Sequence, residues 1–78
     1  MIYADYISDT GDSVTYAFGS TIYDITGIVT FNLAEGWFEV EKEPDKEHVS
    51  IRYISRLFRK YRDDFYKGIF KPKISYEI

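Results

Sequence analysis

The sequence predicts an α+β fold in which one long amphipathic helix packs on one face of an antiparallel sheet of four to six strands. Three observations predict it. Apolar and polar residues alternate in short runs over residues 2–43, a period typical of half-buried strands. Apolar residues then recur at helical spacing over residues 51–65. One more alternating run follows Pro72, so the element order is β-β-β-β(-β)-α-β within a single domain of residues 1–78.

The first strands are short runs rich in Ile, Tyr, Val and Phe, separated by residues that favour turns. The predicted strands cover residues 2–7, 14–18, 21–25 and 28–33. A turn over residues 8–12 joins the first two, because Asp and Ser side chains bond local backbone and Gly11 tolerates a positive φ. Thr26 and Gly27 fit either a tight turn between the last two strands or a bulge within one long strand, and both alternatives stay open here.

The next strand, residues 37–43, has two chemically different faces. Phe38 and Val40 form its apolar face. The other face carries one tryptophan and three glutamates: Trp37, Glu39, Glu41 and Glu43. This alternation is typical of an antiparallel sheet with one solvated face. Moving the register by one residue would bury the glutamates, so the register is strongly specified.

A helix is predicted over residues 46–66, with Asp45 as its N-cap and Gly68 just beyond its C-terminus. Its apolar stripe consists of Ile51, Ile54, Leu57, Phe58, Tyr61 and Phe65. This stripe must pack on the apolar face of the sheet, since nothing else in the chain is available to cover it. Residues 73–78 form the last predicted strand, and Pro72 favours an edge position for it.

No combination of residues predicts catalysis, a metal site or a cofactor. The chain has no cysteine, and His48 is its only histidine, predicted on the surface in the first helical turn. Glutamates that alternate along a strand lie about 7 Å apart on one face, which does not suit the compact oxygen cage that calcium needs. No glycine-rich phosphate loop precedes the helix. We therefore expect a protein that is not an enzyme.

The charge of the chain is divided at the start of the predicted helix. Residues 1–47 contain ten acidic and two basic residues, a net charge of −8, whereas residues 48–78 contain eight basic and three acidic residues, a net of +5. Opposed charges and the predicted exposure of Trp37 favour a protein-interaction module. The alternative for Trp37 is that it packs under a loop or the C-terminal strand. We expect Trp37, Glu39 and Glu41 to contact another protein or a second copy, with a homodimer seam at an edge strand, either residues 73–78 or 2–7.

Two alternatives remain from the residues alone. Four cations lie on the solvated side of the helix and could follow nucleic-acid phosphates: Arg52, Arg56, Arg59 and Lys60. Against this, the whole chain has a net charge of −3 and contains no known nucleic-acid-binding motif. The other alternative is a small-ligand or enzymatic role in a pocket between the helix and the sheet, where Tyr16, Tyr53 or Tyr61 could line a cleft.

The composition also indicates a cellular setting. No run of 18 apolar residues is present, so we expect no membrane span. The lack of cysteine fits a reducing compartment, which favours a cytoplasmic location. A wealth of Ile, Tyr, Phe, Lys and Asp with few Ala and Pro is typical of an AT-rich bacterial or phage genome.

Overall fold

The fold, seen in a computed structural model that describes residues 1–77, is α+β as the sequence predicts. It contains a five-stranded antiparallel sheet and one helix. The elements are β1 (Ile2–Asp9), β2 (Ser13–Gly19), β3 (Gly27–Asn32), β4 (Trp37–Lys42), α1 (Ile51–Tyr66) and β5 (Lys73–Tyr76). Their order along the chain is the predicted one, and residue 78, part of the predicted last strand, lies outside the described residues.

The spatial order of the strands is β4-β3-β2-β1-β5. The first four strands form a meander, and β5 returns after the helix to pair with β1 over Ile2–Asp5. The edges of the sheet are therefore β4 and β5. The prediction that residues 2–7 could form an edge seam is wrong, because β1 pairs with β2 on one side and with β5 on the other.

The predicted strand over residues 21–25 is also wrong, since this segment is a loop and β3 begins at Gly27. The cause is Asp24, which is buried instead of pairing in a strand. Its carboxylate accepts hydrogen bonds from the Thr26 hydroxyl at 2.8 Å and from the backbone N–H groups of Lys46 and Glu47 at 3.0 and 3.1 Å. The question of one bulged strand or two is thereby resolved as one strand preceded by an anchored loop.

The helix also starts later than predicted. It begins at Ile51 rather than at residue 46, and the amides of residues 46 and 47, in the segment before it, bond Asp24. Ser50, not Asp45, is the N-cap, and its hydroxyl accepts from the Arg52 N–H at 3.2 Å. The C-terminus is as predicted, because Gly68 has φ 79° and its N–H donates to the Phe65 carbonyl.

The core lies between the sheet and the helix and is mainly aromatic. Phe31 of β3 is at its centre, with its ring 5.3 Å from that of Phe58 and 5.6 Å from that of Phe65. The predicted inward residues of β2, namely Val14, Tyr16 and Phe18, are fully buried. Ile51 does not belong to the buried stripe, because its side chain in the first helical turn is exposed. Within residues 1–77, α1 is too short and too polar to cross a membrane.

Candidate functional site

The face of the sheet that the helix does not cover carries the predicted interaction residues together. Trp37 begins β4 and is 57% exposed, with its ring stacked at 4.6 Å on that of Phe38. Glu39 and Glu41 are exposed along the same strand. The Glu41 carboxylate accepts a hydrogen bond from the Thr30 hydroxyl, which holds it over this face. We call Trp37, Glu39 and Glu41 the Trp37 surface.

A groove of about 320 Å³ lies beside the Trp37 ring. Its lining residues are Thr30, Asn32, Glu35, Trp37, Phe38 and Glu39. The turn before β4 places Glu35 there, since the Asn32 side-chain carbonyl accepts the Glu35 N–H at 3.1 Å. One aromatic wall and two carboxylates suit a cationic side chain, which can pair with the acids and lie against the ring.

The two edges of the sheet differ in how their backbone groups are bonded. At the β5 edge the Ser75 N–H donates to the Tyr61 hydroxyl at 3.4 Å, and the Ser75 carbonyl accepts from Lys60 Nζ at 3.0 Å. The helix thus blocks the middle of this edge. At the β4 edge, within the described chain, no hydrogen bond reaches the backbone from outside the sheet and its adjoining turn. The β4 edge is the open one.

The four predicted basic residues lie on one side of the helix. Arg52, Arg59 and Lys60 are exposed and Arg56 is half-buried. Three of them, Arg56, Arg59 and Lys60, line a shallow pocket with Tyr76 of β5. The ammonium group of Lys60 already has partners within the chain, because it donates to the Ser75 carbonyl and lies 5.2 Å from the Tyr61 ring centroid. Within residues 1–77, the three arginines form no salt bridge.

His48 is exposed but precedes the helix, so its predicted place in the first turn is wrong. Its Nδ1 lies 3.1 Å from a carboxylate oxygen of Glu43. Over residues 1–77, no group of three or more His, Asp or Glu side chains is arranged to hold a metal ion.

Tyr16 is not available to line a ligand cleft. It is fully buried, and its hydroxyl donates to the Lys71 carbonyl at 2.8 Å. Burial, together with the neighbouring Tyr6 and Tyr61 hydroxyls, raises the pKa of Tyr16 to about 12. Its hydrogen bond ties the segment before β5 to the core.

The exposed apolar tip of the loop before β3 is not predicted from the sequence. Ile22 and Tyr23 were predicted within a strand, yet they are exposed, and Tyr23 is exposed by 85%. The signal that could have identified this loop is Asp24 within the predicted strand, because Asp is uncommon in strands. The buried Asp24 now fixes the loop that presents these two side chains.

No protein-family model, curated protein or solved structure matches this chain.

Proposed function

We propose that this protein is a small non-enzymatic interaction module that binds another protein through the Trp37 surface. The observation that carries the proposal is an indole that is 57% exposed at the start of the open edge strand. Trp is among the residues most enriched at the energetic centre of protein interfaces. The adjoining glutamates would select a partner that is basic at the contact. A cytoplasmic bacterial or phage protein is the setting that the composition favours.

The test compares two exposed aromatic residues. Trp37 and Tyr23 are 57% and 85% exposed, and Tyr23 lies in the loop before β3, at the opposite end of that strand from Asn32, which pairs with Trp37. Affinity capture from lysate of the source cells should retain a partner with wild type and with Tyr23→Ala, but lose it with Trp37→Ala. Both variants should melt near the wild-type temperature, since neither side chain is buried. If every captured protein is retained equally by the three baits, the Trp37 surface is not the binding site.

The partner could also be a second copy of the chain. Light scattering at low and high salt measures the molar mass in solution and so distinguishes a dimer from a monomer. A dimer that persists at high salt and is lost in Trp37→Ala would make the partner a second copy, and a monomer at both salt concentrations supports a different protein.

The second candidate function is nucleic-acid binding through the basic helix face. It is favoured by the cluster of Arg56, Arg59 and Lys60 around Tyr76, where phosphates could be bound beside an aromatic ring. Binding to a generic duplex should then fall steeply with salt, and Arg56→Glu should abolish it. Lys46→Glu makes the same charge change outside the helix and should weaken binding only slightly. Equal effects of the two variants on binding would exclude the basic helix face as the nucleic-acid-binding site.

A further inference from the structure

The open edge of β4 offers a short stretch of regular strand. Val29 pairs with Val40 but Ile28 pairs with Lys42, so Glu41 is the extra residue of a bulge. A bulge bends a strand and interrupts its pairing. The regular edge therefore consists of Trp37–Val40, with Glu39 on the uncovered face, Phe38 and Val40 on the core face, and the Trp37 ring stacked on that of Phe38.

Charge on this edge acts against pairing with a second copy. When two β4 strands pair antiparallel in the register centred on Glu39, Glu39 lies directly opposite Glu39 of the second copy. Like charges directly opposite each other destabilise a sheet. The β5 edge of a second copy is also a poor match, because Lys60 and Tyr61 already bond Ser75. The charge of this edge therefore disfavours its own chain in that register and favours a segment of opposite charge.

The groove beside Trp37 supplies the matching contact for such a segment. It is bordered by Glu35 and Glu39 and has the Trp37 ring as a wall. A strand added at the edge would place alternate side chains on the uncovered face about 7 Å apart, the same interval that separates Trp37 from Glu39. Cations at alternate positions would then meet the groove and Glu39 together.

We propose that β4 binds an extended basic segment of a partner protein as a sixth strand of the sheet. Lys or Arg side chains at alternate positions contact Glu39 and the groove beside Trp37, and apolar side chains between them extend the core past Phe38 and Val40. This inference rests on the proposed function, because it specifies the chemistry of the partner at the Trp37 surface. Main-chain hydrogen bonds provide affinity and the alternate side chains provide specificity.

The test uses an acetylated, amidated peptide of four Lys-Val repeats as the probe, and a block peptide of four Lys followed by four Val as its composition control. Trp37 is the only tryptophan, so its fluorescence reports binding at the site. The alternating peptide should bind about tenfold more tightly than the block peptide, because only alternation places both cations on one face. Glu39→Lys should weaken binding about tenfold or more. Asp63→Lys, the same charge change on the helix, should have little effect.

Peptide N-methylation separates strand addition from simple charge attraction. One edge of an added strand pairs with β4 and the other faces solvent, so methylating the amides of one alternate set should abolish binding while methylating the other set should not. The amides of β4 should also gain protection from hydrogen exchange. If both methylated peptides bind like the parent, or if the block peptide binds equally well, strand addition is refuted.

The two proposals can fail separately. Loss of a captured partner in Trp37→Ala without any selective binding of the alternating peptide would refute the added strand and leave the Trp37 surface as a binding site of another kind. Failure of both the capture comparison and the peptide titration would overturn the inference and the proposed function together.

Discussion

Phe58→Ala tests whether the helix is held to the sheet by its aromatic stripe. Phe58 is only 6% exposed, and its ring is nearly parallel to that of Phe31 at 5.3 Å, with the Phe65 ring 6.2 Å away. Burial of such a side chain contributes about 1.5–3 kcal/mol, and an aromatic pair adds about 0.5–1.5 kcal/mol. With the cavity left behind, we expect the free energy of unfolding to fall by about 3–5 kcal/mol.

The assay is urea unfolding followed by circular dichroism, with thermal melting in parallel. A domain of this size loses about 4–8 °C in Tm per kcal/mol, so the expected decrease is large. Because a chain this short is stable by roughly 4–12 kcal/mol in total, Phe58→Leu is included as a milder variant that stays folded and loses less. Tyr66→Ala, at an exposed position of the same helix, should change stability by no more than about 0.5 kcal/mol. A loss below about 1 kcal/mol in Phe58→Ala would refute the docking of the helix.

Three further predictions concern the loop and the core. Burial by itself raises the pKa of Asp24, but its hydrogen bonds from Thr26, Glu47 and Lys46 outweigh this and lower the pKa below 3.8. The ionised carboxylate therefore stabilises the fold above pH 3.8, and this contribution is lost as the pH falls below that value. The stability lost in Asp24→Asn should be largest at neutral pH and should shrink below pH 3.8, as measured by Tm from pH 7 to 2. Tyr16→Phe should lower the free energy of unfolding by about 0.5–1.5 kcal/mol in urea at pH 7. The pKa of Tyr16 is raised from 10.0 to about 12 in the folded protein, so the extra stability of the wild type over Tyr16→Phe should disappear as the pH rises from 10 to 12. Gly19→Ala should destabilise by about 1–3 kcal/mol, since its Cβ would lie 1.8 Å from the Asp24 carbonyl oxygen; an unchanged Tm would show that the loop moves freely.

The parts of the fold that the sequence predicts correctly are those specified by local periodicity. The alternation of Val14, Tyr16 and Phe18 identifies the buried face of β2, and the glutamates of β4 identify its uncovered face. The helical stripe likewise predicts which helix residues are buried against the sheet, with the exception of Ile51 in the first turn. These patterns are read within a few residues of each other, so no knowledge of distant contacts is needed.

The wrong strand over residues 21–25 has its physical cause in one long-range interaction. Asp24 bonds amides 22 and 23 positions further along the chain, and this holds the segment as a loop and exposes the Ile22–Tyr23 tip. Nothing in the local pattern around residue 46 reveals that its amide is already bonded. The alternation of the sequence predicts the exposure of Trp37, Glu39 and Glu41, but only the strand order shows that β4 is the open edge of the sheet.

The two edges of the sheet are protected from pairing by different means, and the difference bears on function. At β5 the helix bonds the backbone of Ser75, which blocks any partner whatever its charge. At β4 the backbone is open and the side chains are acidic, which repels acidic strands and a second copy but attracts basic ones. The charge division of the sequence is thus also a spatial one, since Arg56, Arg59 and Lys60 gather beside β5 at the opposite edge from Glu39. Protection of β5 together with an open, acidic β4 fits the proposed binding of one basic partner.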